Sequence, residues 1–507
     1  MRSSALAVTI TKSKFVAGGQ CLKRLYLLVK SPELGTGKSA SDFALLEQGR
    51  EVGKLAQRLF PGGVLVRTGD PEEAIRTTQE LVANRDISAI FEAAFEHEGV
   101  FVRVDILHRR LDGRWRLMEV KSSASRKEEH LEDVAIQYRV ASNCGLDVAS
   151  CHLAHVNRNY VFSGVSIDPW RFFRIKNLTR QVERLQPKLT FQLRSELRVL
   201  AMSQAPDLPV GRHCTNPVTC EFFDHCNAPR PDNHIGYLPY IHASAVEELA
   251  EMGVESIGDI PDDFELTEIQ RRAATSVQTG TPWFSPDLGK QLESLHYPLS
   301  FMDFETVNPA IPRFPGMRPY DHLPFQWSVH VQREPGAEPE HNEFLAADRS
   351  DPRREFIGSL CDALGERGSI VVYNAAFESQ RLSELAAWLP EFAEWSKNIQ
   401  ARLWDLLPVV RKHCYHPAFA GSYSLKAVLP ALVPEMTYEG MQIANGQDAG
   451  LAWESLIRGW VDQAEHEHIK KVLLAYCSQD TVALVKLLGT LLAESGSIHS
   501  PVIRRHQ

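Results

Sequence analysis

Asp303 and Glu305 interrupt an otherwise apolar run, LSFMDFETV, at the one spacing that turns both carboxylates to the same face of a strand. Such a run cannot simply be buried. Two like charges leaving water together are costly unless cations or donors compensate them. The run therefore predicts a buried strand whose acids serve a site, with divalent cations as the usual compensation. Further along, Tyr476 and Asp480 in YCSQDTVAL lie one helical turn apart and share a face. Glu378 follows the short apolar run SIVVYN, at the start of a helical pattern. Asp480 is expected to complete a metal cage with Asp303 and Glu305, Tyr476 to position or deprotonate an attacking water, and Glu378 to add a ligand. Asp405 in RLWDLLP is the alternative to Glu378, although an Asp there more often supports the fold. Acids scattered on surface strands are the plain alternative for the whole set.

A second acidic set comes earlier. VFVRVDIL and WRLMEV are β-rich runs joined through Asp112-Gly113, a hairpin signal. Asp105 on the first strand can approach Glu119 across that hairpin, and Glu119 and Lys121 share a face while Val120 turns to a core. Two acids would bind a cation, with Lys121 orienting water or neutralising charge in the transition state. Alone, a D…ExK triplet is weak. Gln137 in the helical stretch HLEDVAIQYRVASN and Glu92 ahead of the first strand make it more specific. An ordinary salt-bridged surface is the alternative. Arg103, Arg109, Arg110, Arg114 and Arg116 around it form either a basic groove or a solvated hairpin.

The chain has 507 residues, a net charge of −9 and nine cysteines. That length buries more than one core. The acidic balance counts mildly against a nucleic-acid partner, except that metal-site carboxylates supply part of it. With no continuous apolar stretch of membrane-spanning length and no leader pattern at the N-terminus, a soluble cytoplasmic protein is expected. There, clustered cysteines hold metals more often than they form disulfides. Cys214, Cys220 and Cys226 recur at even spacing, with Cys21 far upstream, an arrangement local zinc fingers rarely use. Four thiolates suit an iron–sulfur cluster; zinc stays open, with His213 and His225 beside the thiols. The other cysteines, Cys144, Cys151, Cys361, Cys414 and Cys477, are expected to be small buried residues.

Composition shifts divide the chain into residues 1–230 with the cysteines, a helical connector over 231–290, and 291–507 with a short C-terminal tail. In the connector the Gly253-Val254 turn resembles a helix-hairpin-helix, and a plain helical spacer accounts for it as well. From 290 onward strands are followed by alternating helices, which predicts an α/β fold.

Asp303, Glu305, Glu378 and the Tyr476-x-x-x-Asp480 pair resemble the DEDD exonucleases of the ribonuclease-H-like superfamily, over about 295–492. The resemblance implies a 3′–5′ exonuclease whose acids hold two Mg²⁺ or Mn²⁺ ions. Its middle motif usually carries Asp where this chain has Glu378. The distant Cys21 with QCLKRLYL, the D…ExK…Q core and the three later cysteines resemble RecB/AddB-type PD-(D/E)XK nucleases. That likeness implies a 4Fe–4S cluster on Cys21, Cys214, Cys220 and Cys226, and a metal held by Asp105, Glu119 and Glu92 with Lys121 and Gln137 beside it. The order of the parts, and FMDFETVNPAIPRFPGMRPYDHLPFQWSVH above all, resembles the bacterial family catalogued as domain of unknown function 2779. Together these imply hydrolysis of nucleic acid, DNA favoured over RNA, in repair, processing or defence. The rival from another class is a non-catalytic nucleic-acid adaptor.

Overall fold

The computed structural model describes residues 9–227, 230–443 and 445–496; the expected C-terminal tail beyond 496 and the first eight residues lie outside these. The fold is mixed α/β and divides into two units: Met1–Ala228 with Asn308–Asp321, and Pro229–Val307 with His322–Gln507.

In the first unit, seven strands form one sheet: β1 (Ile10–Thr11), β2 (Val64–Leu65), β3 (Ala89–His97), β4 (Val100–Arg109), β5 (Trp115–Lys121), β6 (Val148–Val156) and β7 (Phe173–Asn177). The order is β2-β3-β4-β5-β6-β7, with β1 parallel to β4. The expected hairpin is β4–β5, antiparallel, turning at Gly113 with φ +80°. Helix Glu128–Asn143 returns the chain so that β6 lies parallel to β5. Its Val134 and Ala135 are buried, with Leu131 packed beside them. Residues 308–321 belong here by their packing. Ala310 N donates to Gln48 Oε1 at 3.0 Å, and Tyr320 Oη donates to the Ser122 carbonyl.

The second unit holds β8 (Trp283–Phe284), β9 (Leu299–Val307), β10 (Leu323–Gln332), β11 (Glu340–Leu345), β12 (Ser369–Val372), β13 (Leu403–Asp405) and β14 (Cys414–Tyr415). Five make one sheet in the order β11-β10-β9-β12-β13. The β9–β10 and β10–β11 pairs are antiparallel, and the β9–β12 and β12–β13 pairs are parallel. Alternation on β9 explains its placement. Met302 and Phe304 enter one apolar cluster with Trp327 and Phe356, while Leu299 and Phe301 enter another with Leu484 and Leu488. Helix Gln463–Glu494 lies on that second side. By length and composition it could cross a membrane, although charged and polar residues interrupt its apolar run. Here it packs on β9 and β10.

The stretch 231–290 shares the cluster that contains Leu299 and Leu484. Its helices are Ala243–Glu251 and Glu268–Thr279, with a short 3-10 turn at Ile257–Asp259 between them. The Gly253 turn (φ +79°) leads into that 3-10 turn, not into a second helix, so it has the form of a helical spacer.

Candidate metal centres

On β9, Asp303 and Glu305 point to the face covered by helix Gln463–Glu494, which brings Asp480 to them. Among the described residues, these three form a group whose ligand oxygens all lie within 4.8 Å of one another. Burial pushes each carboxyl above its usual range, and repulsion from Asp480 adds to it for Asp303 and Glu305. Asp303 is raised well above the carboxylate range by burial, Asp480 and Glu305; Glu305 rises to about 8 through burial and Asp480. Asp480 reaches only about 6, because burial is opposed by hydrogen bonds from Tyr438 and Tyr476 and by the Lys426 charge.

Glu378 stands outside the three-residue group but close enough to raise Asp303. It is buried, with Oε2 lacking a hydrogen-bond partner, and burial lifts it to about 8. Asp405 has a different task. Its Oδ1 accepts from Asn374 N at 2.9 Å and Leu407 N at 3.1 Å, and its Oδ2 accepts from Ala375 N at 3.0 Å. It thereby holds Asn374 at φ +85° and fixes the start of helix Ala375–Trp388, which carries Glu378.

Three residues at this site carried no sequence signal. Tyr438 Oη donates to Asp480 Oδ1, Cys477 Sγ lies 4.0 Å from Asp303 Oδ2, and Lys426 Nζ sits 5.6 Å from the Tyr438 ring and 5.8 Å from that of Tyr476. Each is far in sequence from the acids it meets or lacks a diagnostic spacing.

In the first unit the three acids line up across neighbouring strands. The register Ile106↔Met118 leads to Asp105 facing Glu119, and Phe91↔Ile106 with Ala93↔Val104 puts Glu92 beside Asp105. Glu92 interrupts β3 with φ +56°, a left-handed conformation uncommon for a non-glycine residue. These oxygens are already engaged. Asp105 Oδ2 accepts from Val120 N at 2.6 Å. Glu119 Oε1 meets Lys12 Nζ at 2.6 Å and Lys121 Nζ at 2.8 Å, and its Oε2 accepts from Gln137 Nε2 at 2.6 Å. Lys121 also pairs with Asp133. Burial alone would raise Glu119, but the two ammonium groups hold it well below the usual carboxylate range. Asp105 keeps a raised value, from burial and from Glu119. Lys12 and Asp133 were missed in sequence. Asp133 was within reach, since it lies one helical turn before Gln137; Lys12 was not.

Four of the five arginines around the hairpin make structural contacts, while Arg116 Nε is buried without a hydrogen-bond partner. Arg109 donates to the carbonyls of Val82, Asn84 and Ile87 and lies over Trp115, Arg103 donates to the Thr68 carbonyl, and Arg110 and Arg114 pair with Asp112.

Cys21, Cys214, Cys220 and Cys226 line one hollow with His213. Cys21 caps helix Leu22–Lys30 by accepting from Arg24 N, and Cys220 N donates to the Cys214 carbonyl at 2.8 Å. Burial raises the Cys220 and Cys226 thiols, with Cys21 adding to both. Among the described residues no three of these sulfurs close to within 4.8 Å. Four thiols with His213 beside them offer donors that either zinc or an iron–sulfur cluster could take. Of the remaining cysteines, Cys151, Cys414 and Cys477 are buried, while Cys361 is only half-buried. Cys144 departs from expectation: it is exposed, with Sγ donating to the Glu96 carbonyl at 3.2 Å.

A mixed α/β protein with a three-carboxylate centre on a sheet and helix is the class these observations define. Residues 300–424 match the family described as Domain of unknown function (DUF2779). Uncharacterized protein UU173 of Ureaplasma parvum serovar 3 is 24% identical over 207 residues, covering 36% of this chain and 30% of that protein. The Uncharacterized protein MG366 homolog of Mycoplasma pneumoniae is 24% identical over 208 residues, covering 37% and 31%. The match thus spans less than a third of either relative. A solved structure, "Crystal structure of SSO0001", aligns over 36% of this chain and 75% of its own at 14% identity, but its TM-score of 0.17 carries no argument about fold. These similarities support kinship with an uncharacterised family.

Proposed function

We propose that this chain is a metal-dependent nuclease. Its second unit would be a DEDD-type, ribonuclease-H-like 3′–5′ exonuclease, and its first unit a PD-(D/E)XK-like domain carrying an iron–sulfur cluster. The observation that carries the reading is the convergence of Asp303, Glu305 and Asp480 within 4.8 Å on buried faces of a strand and a helix. Divalent cations are the usual compensation for such a set. Asp303, Glu305 and Asp480 would hold Mg²⁺ or Mn²⁺ with Glu378 alongside, and the chemistry supplied there is activation of water and stabilisation of the leaving oxygen. Tyr438 and Tyr476 orient Asp480 through their hydroxyls, and Asp405 positions the helix bearing Glu378. Lys426 supplies a positive charge beside Glu305 and Asp480 that can face a phosphate.

Incubation of end-labelled DNA and RNA strands with the protein and Mg²⁺ or Mn²⁺ tests this. A ladder of shortened products, abolished by Asp303→Ala, is the expected result, with DNA the preferred substrate. Binding without cleavage under every metal would instead establish a nucleic-acid adaptor. Cleavage that survives Asp303→Ala but not Lys121→Ala would move the activity to the first unit. For the cysteines, protein purified without oxygen is expected to be brown with absorption near ~400 nm, as thiolate-ligated iron gives. Stoichiometric zinc without iron would overturn that assignment.

A further inference from the structure

Lys12 opens helix Lys12–Gln20, directly after β1, and its ammonium reaches a place where a nuclease centre of this design would want a cation. It bonds Glu119 Oε1 at 2.6 Å, the same oxygen that Lys121 approaches at 2.8 Å. Its charge is felt by Glu92, Asp105, Glu119 and Asp133, all four acids of the site. With Gln137 on the other oxygen, three donors crowd Glu119, two of them on Oε1. A cation binding Oε1 would have to displace one of the two ammonium groups. Lys121 is the less free to move, because it is also held by Asp133, whereas the Lys12 ammonium bonds Glu119. The backbone preceding Lys12 is pinned to β4, Ile10 N donating to the Gly99 carbonyl at 2.7 Å, so only the side chain needs to swing.

We propose that Lys12 is a built-in counter-ion of the acidic site in the first unit, occupying Glu119 until a divalent cation displaces it. The proposal rests on the nuclease reading of that site and adds how the site is switched: its metal affinity is set by a side chain that competes for the same oxygen.

The test uses the full chain with the β9 centre silenced by Asp303→Asn and Asp480→Asn. Mn²⁺ is titrated while free Mn²⁺ is followed by electron paramagnetic resonance, in that background and with Lys12→Met or Lys12→Gln added. The expected result is Mn²⁺ binding that tightens at least about tenfold in both Lys12 variants. Lys12→Gln keeps a donor for Glu119 and guards against a folding defect. Reductive methylation of the Lys12-containing chain gives a readout that needs no variant at that position: labelling of Lys12 should rise as Mn²⁺ is added. Unchanged or weaker affinity in both variants, with Lys12 labelling unmoved at saturating Mn²⁺, overturns the proposal and leaves the metal site standing. No Mn²⁺ binding in any of the proteins overturns the proposal together with the reading it rests on.

Discussion

The two acidic centres solve one electrostatic problem in opposite ways. In the first unit Glu119 is buried between two ammonium groups and an amide, and its charge is kept. On β9, Asp303, Glu305 and Asp480 are buried against one another, with the Tyr438 and Tyr476 hydroxyls on Asp480 and the Lys426 charge acting on Glu305 and Asp480, and their proton affinities rise. The difference teaches that carboxylate clustering alone does not define a metal site. What matters is whether the protein has already neutralised the charge. By that measure we propose the β9 centre as the one that receives cations.

The largest expected effect sharpens this contrast through activity. Asp303→Ala should lower strand degradation by on the order of a thousandfold or more, measured by initial rates on a labelled strand. An equal loss from Lys121→Ala with Asp303→Ala silent would reverse the ranking of the centres. Stability should move in opposite directions. Glu119→Gln removes the carboxylate shared by two half-buried ammonium groups, of which Lys121 keeps Asp133, and should cost about 3 kcal/mol. Asp303→Asn removes a repelling acid and should stabilise the metal-free protein by about 1 kcal/mol. Urea unfolding of both variants in the presence of chelator decides it, and two changes of the same sign would break the comparison.

Acidity offers a third handle. Glu305 and Glu378 are raised to about 8 and Asp480 to about 6 in the folded protein. Their ordinary values are near 4, so between about pH 4 and 8 the folded state holds protons that the unfolded chain has released. Stability of the metal-free protein must therefore fall as pH rises through that window. Melting temperatures from pH 5 to 8.5 should decline, and Mg²⁺ or Mn²⁺ should restore them most at the alkaline end. A flat profile with chelator present would show that these acids are not crowded as described. Smaller still is the effect of Glu378→Asp, expected to change the rate by less than about tenfold, since Glu378 stands outside the three-ligand group. Asp405→Ala should cost about 1–2 kcal/mol through loss of a helix cap, seen as an earlier urea midpoint.

Local periodicity made much of the β9 centre legible. A two-residue spacing placed Asp303 and Glu305 on one face, and a one-turn spacing did the same for Tyr476 and Asp480 on their helix. The β4–β5 hairpin was readable from Asp112-Gly113 and the alternation around Glu119. Lys12, Lys426 and Tyr438 were not, because each meets its acid through tertiary packing across a long stretch of chain that no local pattern encodes. The competition between Glu378 and Asp405 could be framed in sequence but needed backbone geometry: three amide hydrogens converge on Asp405. Residues 308–321 were equally opaque, because nothing in NPAIPRFPGMRPYD announces which core it joins.

That last segment bears on how the molecule can be dissected. The polypeptide passes from one unit to the other three times, once near 228 and again on either side of Asn308–Asp321. A fragment ending at 228 would lack Ala310 and Tyr320, and a fragment starting at 229 would carry them without the pocket they fill. Separating the halves for study calls for excising that excursion and grafting it back, not for a single cut.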